Sequence, residues 1–341
     1  MIRTDEGRWF CRQCEPKGGD VEGFLMTFRG LSYPDACRVT GRDTSRYTWR
    51  YQRPNQITQD RRSEFTPALP MDPPEIWKQR AGLVAQAAQI DLWQTPDQVR
   101  YLRGRGLTSE SIKAAGLGWI PKTRFESRET WGLPPELNDR GRPKKVWMPE
   151  GLVIPCYGPG GEVIRLRVRR PEGEPRYVLV PGSDTRPMVM GAIGLFEAVV
   201  ESELDALLMA QETPLVTAIA LGSAQKRPDA ETDRILRTAR VILNVLDYDE
   251  AGGRSVWQWW AEVYPHMTRW LVPEGKDPGE YHQAGGDLRF WVETGLSHAL
   301  GIDGPPDDIW YEFEERAAIY QFQGGLSRVE AETAALDFVS R

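Results

Sequence analysis

Three apolar runs in this sequence each lead into acidic residues. Val199-Val200 ends at Glu201, and residues 241–246 end at Asp247 and Asp249. Trp270-Leu271-Val272 leads through Glu274, Gly275 and Lys276 to Asp277. Carboxylates gathered in one place repel one another unless a hard divalent cation sits among them. Mg²⁺ or Mn²⁺ held by a few carboxylates is the usual apparatus of phosphoryl transfer. A fourth apolar run, 215–220, is followed by Leu221-Gly222-Ser223-Ala224, where glycine would let a phosphate approach the backbone.

Apolar runs of this length, separated by helical patterns, read as buried parallel strands. Residues 202–212 place Leu204, Leu207 and Leu208 on one helical face, and 229–239 do the same with Ile235, Leu236 and Ala239. Alternating strands and helices imply a parallel sheet with right-handed crossovers. Ligands of such sheets bind outside the carboxyl ends of the strands, so the acidic clusters should converge on one edge. Upstream, 151–157 and 161–169 read as a β-hairpin around Gly158-Pro159-Gly160-Gly161. The chain carries 43 basic and 49 acidic side chains, a net of −6. Residues 140–176 hold nine basic against four acidic side chains, whereas 276–341 hold thirteen acidic against five basic. Such segregation suggests a basic groove for a single strand on an otherwise acidic protein.

The set Glu201, then Asp247-x-Asp249-x-Ala251-Gly252, then Gly275-Lys276-Asp277-Pro278, resembles the Toprim domain of bacterial and phage DnaG-type primases. The segment from Tyr101-Leu102-Arg103-Gly104-Arg105-Gly106-Leu107 to Gly118-Trp119-Ile120-Pro121 is similar to the opening of the primase catalytic core. It reads as two short helices around a glycine break, with Thr108 or Ser109 as N-cap and no chemistry of its own. Trp9-Phe10-Cys11-Arg12-Gln13-Cys14 followed by Gly19-Asp20 resembles the second half of the primase zinc ribbon.

The resemblance implies an α/β fold. It has a Toprim-type parallel sheet flanked by helices, an α+β N-terminal core lobe and a small zinc-ribbon remnant. It implies a DNA primase, a nucleotidyltransferase making short RNA primers on single-stranded DNA from nucleoside triphosphates in DNA replication. Glu201, Asp247 and Asp249 would be catalytic, and Asp247, Asp249, Asp277 and Glu201 would hold Mg²⁺ or Mn²⁺. Gly222, Ser223 and Lys276 would bind the nucleotide. Arg169 and Arg176, with Arg167, Arg170, Lys144 and Lys145, would contact nucleic acid. Glu203, Asp205 and Glu274 stand second to these, and Ser202 takes the place of a glycine usual in the family. Two other readings fit the same carboxylates: an inactive primase-like single-stranded-DNA-binding or assembly subunit, and a Toprim nuclease. The hairpin and the core-opening segment argue against the nuclease.

A structural zinc needs four ligands. Cys11 and Cys14 lie close together, but Cys37 and Cys156 lie further on and the three histidines (His266, His282, His298) are in the last quarter. A complete zinc site is therefore not expected. Residues 1–59 read as a partial zinc-ribbon domain and 60–75 as a proline-bearing linker. The first core lobe with its basic hairpin covers 76–194, the Toprim domain 195–300 and a helical tail 301–341. A helix is expected over 75–93. In the tail, 310–323 and 328–339 read as helices, with Ser327 and Glu330 forming a capping box. The tail resembles short helical tails of replication proteins from phages and integrated elements, which would dock a replicative helicase. The reading preferred here is packing against the Toprim lobe. No apolar run reaches about 18 residues, no Gly-x-x-x-x-Gly-Lys-Ser/Thr is present, and the polar start does not read as a signal peptide. Four cysteines without paired spacing fit a reducing, cytoplasmic compartment.

Overall fold

The computed structural model describes residues 2–3, 8–10, 18–19, 25, 39–40, 65–246 and 253–340. Cys11, Cys14, Asp247 and Asp249 lie outside the described residues, as does the Ala251-Gly252 step that follows them. Near the start, β1 (Ile2–Arg3), β2 (Arg8–Phe10) and β3 (Gly18–Gly19) pair antiparallel in that order.

The expected first helix is present with the bounds read from the sequence: α1 spans Glu75–Trp93. It follows Pro74, and Thr95 with Pro96 opens the next helix, so punctuation fixes both ends. Trp77, Ala81, Val84, Ala85, Ala88 and Leu92 form its buried stripe. Trp77 donates from Nε1 to the Pro181 carbonyl at 2.8 Å, and its ring lies 5.6 Å from that of Trp131. Helices α2 (Pro96–Gly104) and α3 (Ser109–Ala114) follow, and Thr108 caps α3 by accepting from the Ser111 N–H at 3.1 Å.

The first sheet is antiparallel, in the order β4 (Gly118–Ile120), β7 (Gly151–Tyr157), β8 (Val163–Arg169), β9 (Tyr177–Leu179). Strands β7 and β8 are the expected hairpin. A separate two-stranded ribbon pairs β5 (Arg124–Ser127) with β6 (Lys145–Met148).

The second sheet has the order β10 (Met188–Met190), β12 (Thr217–Ala220), β11 (Phe196–Val200), β13 (Val241–Asn244), β14 (Met267–Arg269). Its last four strands are parallel. Strand β10 joins the edge antiparallel, so the sheet is mixed and not wholly parallel as expected. Every residue of β11, β12 and β13 is buried, as strands covered on both faces must be. The covering helices are α4 (Glu203–Glu212), α5 (Ala230–Thr238), α6 (Gly253–Val263) and α8 (Leu288–Leu300), with the short α7 (Pro278–Gln283) at the edge. Strand β14 sits three residues earlier than the apolar run suggested. Trp270 and Val272 are buried because they pack into the core after the strand ends, with Trp270 Nε1 bonding the Trp291 carbonyl.

The tail forms α9 (Pro306–Ala318), a π-helical turn over Ile319–Gln323, and α10 (Arg328–Val339). The capping box of Ser327 and Glu330 is formed. The pair packs on the sheet lobe. Trp310 donates to the Glu293 carbonyl at 2.9 Å, and Phe196 packs against both Trp310 and Phe313 at 5.5 and 5.6 Å. One apolar cluster runs from Leu92 to Leu336 and joins the two lobes.

Candidate active site at the carboxyl edge of the mixed sheet

Parallel pairing places the ends of β11, β12 and β13 side by side. Val199 is opposite Asn244, and Val200 is opposite Ala220. Backbone bonds then tie the ensuing turns together. The Gly222 N–H donates to the Glu201 carbonyl at 2.7 Å, and the Val245 N–H to the Val199 carbonyl at 2.9 Å. Glu201 and the Gly222-Ser223 turn, read separately in the sequence, are thus neighbours. Gly222 has φ +85°, a conformation that favours glycine. Leu246, the last described residue before the gap, leaves the sheet at this same edge; Asp247 and Asp249 follow it in the sequence.

The third acidic cluster arrives on α7. Asp277 caps that helix, its Oδ1 accepting from the Glu280 N–H at 2.7 Å. Glu280 in turn accepts from the Lys276 N–H at 3.0 Å, leaving the Lys276 side chain exposed. Asp205, in the first turn of α4, is 3% exposed. A side chain on Gly279 would sit 2.9 Å from Asp205 Oδ1 and 3.2 Å from Asp277 Oδ1, so both carboxylates line one small space. Burial first, and then the neighbouring Asp277 charge, push the Asp205 carboxyl up to about 6. Ser202, the α4 cap, donates its hydroxyl to Asp205 at 2.5 Å, so the serine in the place of a glycine has a job.

Arg105 was not among the expected site residues. Its Nη2 lies 3.5 Å from Asp205 Oδ1. It reaches there because the turn between α2 and α3 docks on the sheet lobe. Gln211 bridges this turn, donating to the Gly106 carbonyl at 2.9 Å and accepting from the Thr108 N–H at 2.8 Å. The segment that the sequence marked only as a signature therefore delivers a cation beside the acidic pair. The signal available was a guanidinium inside a Gly-Arg-Gly turn, which would fit any exposed loop.

The basic hairpin meets the same edge. Arg167 on β8 donates from Nη1 to both Glu203 oxygens at 2.7 and 2.9 Å, and from Nη2 to the Gly222 carbonyl at 3.0 Å. Its guanidinium stacks over Tyr177 at 4.3 Å. Arg169 lies 5.3 Å above Tyr101. Arg170 bonds the Glu174 carbonyl at 2.9 Å, and Arg176 bonds the Pro171 carbonyl. Both thus hold the loop after β8. Lys144 and Lys145 are exposed on the ribbon side, with Lys144 paired to Glu136. Of the candidates, Glu201, Gly222, Ser223, Asp277 and Lys276 fall at the sheet edge. Arg167 is joined directly to it, and the remaining basic residues lie outward along the hairpin and ribbon.

Carboxylate oxygens suit a hard cation, and the like-charged pair Asp205–Asp277 is what such a cation relieves. Among the described residues no three His, Cys, Asp or Glu side chains gather closely enough to hold a metal ion. Nor, among them, is any helix long and apolar enough to cross a membrane.

The fold is that of a DnaG primase catalytic domain. A solved example of that domain bound to single-stranded DNA matches with a TM-score of 0.51 and 20% identity, over 78% of this chain and 96% of that one. In sequence the chain is similar to curated DNA primases. It is 25% identical to that of Pseudomonas aeruginosa over 322 residues, covering 85% of this chain and 47% of the relative. It is 26% identical to that of Pseudomonas putida over 360 residues, covering 90% and 51%. The chain spans about half the length of the curated relatives it matches. No family model matches it.

Proposed function

We propose that the protein is a DNA primase that builds short RNA primers on single-stranded DNA by metal-dependent nucleotidyl transfer. The observation that carries this reading is the meeting, at one sheet edge, of Glu201, the Gly222 turn and the Asp205–Asp277 pair with the basic strand β8. Acid and base are then divided as template-directed synthesis needs: carboxylates for a cation and the triphosphate, guanidinium groups for a phosphodiester strand.

Asp247, Asp249, Asp277 and Glu201 would hold Mg²⁺ or Mn²⁺, which when bound neutralises the charge developing on the leaving pyrophosphate. Arg105 offsets part of the Asp205–Asp277 repulsion and keeps the edge folded while no cation is present. The Gly222-Ser223 turn and Lys276 receive the nucleotide. Arg169, Arg170 and Arg176, with Lys144 and Lys145, guide the template, and Arg167 ties their strand to the catalytic edge. The work divides between a basic lobe over 76–194 and a sheet lobe over 195–300. Its compartment is the cytoplasm, where the template is.

The test is synthesis from labelled ribonucleoside triphosphates on mixed single-stranded DNA, with Mg²⁺ or Mn²⁺. Short oligomers that require both template and cation are expected. Cation-dependent degradation of the strand without synthesis would make the protein a nuclease. Strand binding without either activity would make it an assembly subunit.

A further inference from the structure

Glu203 is 1% exposed at the start of α4, and three cations surround it. Arg167 binds it at 2.7 Å. Arg165, itself 4% exposed, approaches it at 3.5 Å. Lys226, from the loop after Gly222, is half-buried beside both arginines, with its Nζ bonded to the Thr185 carbonyl. Of the other carboxylates nearby, Asp184 holds Arg186 at 2.8 Å, and Asp229 caps α5 through Oδ1 while its charge also attracts Lys226. Three positive groups thus gather around Glu203, with Asp229 the next carboxylate to reach Lys226.

Buried charge of one sign is costly unless something of the other sign joins it. Two marks of that imbalance are visible. Arg165 Nε is buried with no hydrogen-bond partner. Burial, and then repulsion by Arg165 and Arg167, bring the Lys226 ammonium down to about 8, with Glu203 and Asp229 pulling the other way. Lys226 is one turn from the exposed Ser223, its N–H donating to the Ser223 carbonyl at 3.1 Å. A Cβ on Gly222 would lie 2.7 Å from Arg167 Nη1, so glycine leaves the approach clear.

We propose that Arg165, Arg167 and Lys226 form a phosphate seat beside the Gly222 turn, which takes a dianionic phosphate of a nucleotide. Three cationic side chains converging beside one turn match a terminal phosphate or a pyrophosphate group. A template strand presents single charges spaced along its length, which suits the outward Arg169, Arg170 and Arg176 better. That the anion is part of a nucleotide rests on the function proposed above; that an anion binds does not.

The experiment is calorimetric titration of the full chain with inorganic pyrophosphate, without divalent cation, for the wild type, Lys226→Gln and Lys226→Arg. Glutamine keeps a donor for Thr185 and leaves the Glu203 pairs intact, and matching thermal melts establish that the fold is kept. Wild-type binding should weaken about tenfold or more in Lys226→Gln, the loss of one charge-assisted hydrogen bond, and recover in Lys226→Arg. No wild-type binding, or equal binding by Lys226→Gln, overturns the seat. Affinity for single-stranded DNA should stay within about twofold of wild type in Lys226→Gln. An equal loss there would give the site to the strand and overturn the nucleotide assignment. Because pyrophosphate binding needs no synthesis, failure of the primase reading leaves this result interpretable. If synthesis is found, Lys226→Gln should raise KM for the nucleotide and leave kcat nearly unchanged.

Discussion

Glu197 shows how far a single carboxylate can be from the chemistry and still matter. It lies in β11, fully buried, with Thr217 of β12 opposite it. Burial, opposed by the Thr217 hydroxyl and reinforced by the Glu332 charge, pushes its pKa up to about 9. Its folded pKa lies above the unfolded one, so the folded chain holds a proton that the unfolded chain has lost over most of the range between. Stability therefore falls as pH rises from about 5 to 9, with a slope of up to about 1.4 kcal/mol per pH unit from this group. Glu197→Gln should flatten that slope, seen in urea midpoints at pH 6 and 8.5. Equal slopes in both proteins would contradict it. The sequence marked Glu201 as the acidic end of an apolar run, and Glu201 follows β11 directly. The sequence could not place Arg105, Lys226 or Glu197. Arg105 acquires its partner only when α2 and α3 dock against α4, and Lys226 only when its loop folds over β8.

At the level of elements, what was legible followed from punctuation and period. Helix α1 kept the bounds set by Pro74 and the Thr95-Pro96 step, and the Ser327–Glu330 box opened α10. Strand β10 was not legible: three residues, Met188-Val189-Met190, are too few to show a period, and only the neighbour β12 makes them a strand. Strand β14 was displaced because the buried Trp270 and Val272 mimic strand burial in sequence. One buried carboxylate adds to the apolar contacts that fasten the two C-terminal helices. Glu332 on α10 accepts from the Leu195 N–H at 2.8 Å, just before β11, and from Arg328 at 2.6 Å. Glu332→Ala leaves the Leu195 N–H buried and unsatisfied, so a loss of about 1–3 kcal/mol is expected. A urea midpoint equal to wild type would show that the clamp contributes nothing.

For the whole molecule, charge divides as the proposed function requires. The excess of basic side chains over 140–176 lies on the ribbon and on the hairpin, whose Arg167 is tied to the sheet edge, while the acidic last part of the chain forms α7, which carries Asp277, and α8 to α10. Net charge alone, at −6, points away from nucleic acid; its distribution points towards it. If about five phosphates are neutralised, the log–log salt dependence of single-stranded DNA binding should have a slope of roughly −3.5. A slope near zero would remove the groove. That both lobes share one apolar cluster was not readable from the sequence, since the joining contacts are remote in the chain.

The central claim is that the sheet-edge carboxylates carry out nucleotidyl transfer. Its most direct test compares primer synthesis by the wild type and by Asp247→Ala on the same single-stranded templates, with thermal melts alongside. The account predicts short template-dependent products from the wild type, none from the variant, and melts that differ little. Products of equal yield from a folded Asp247→Ala protein would contradict it.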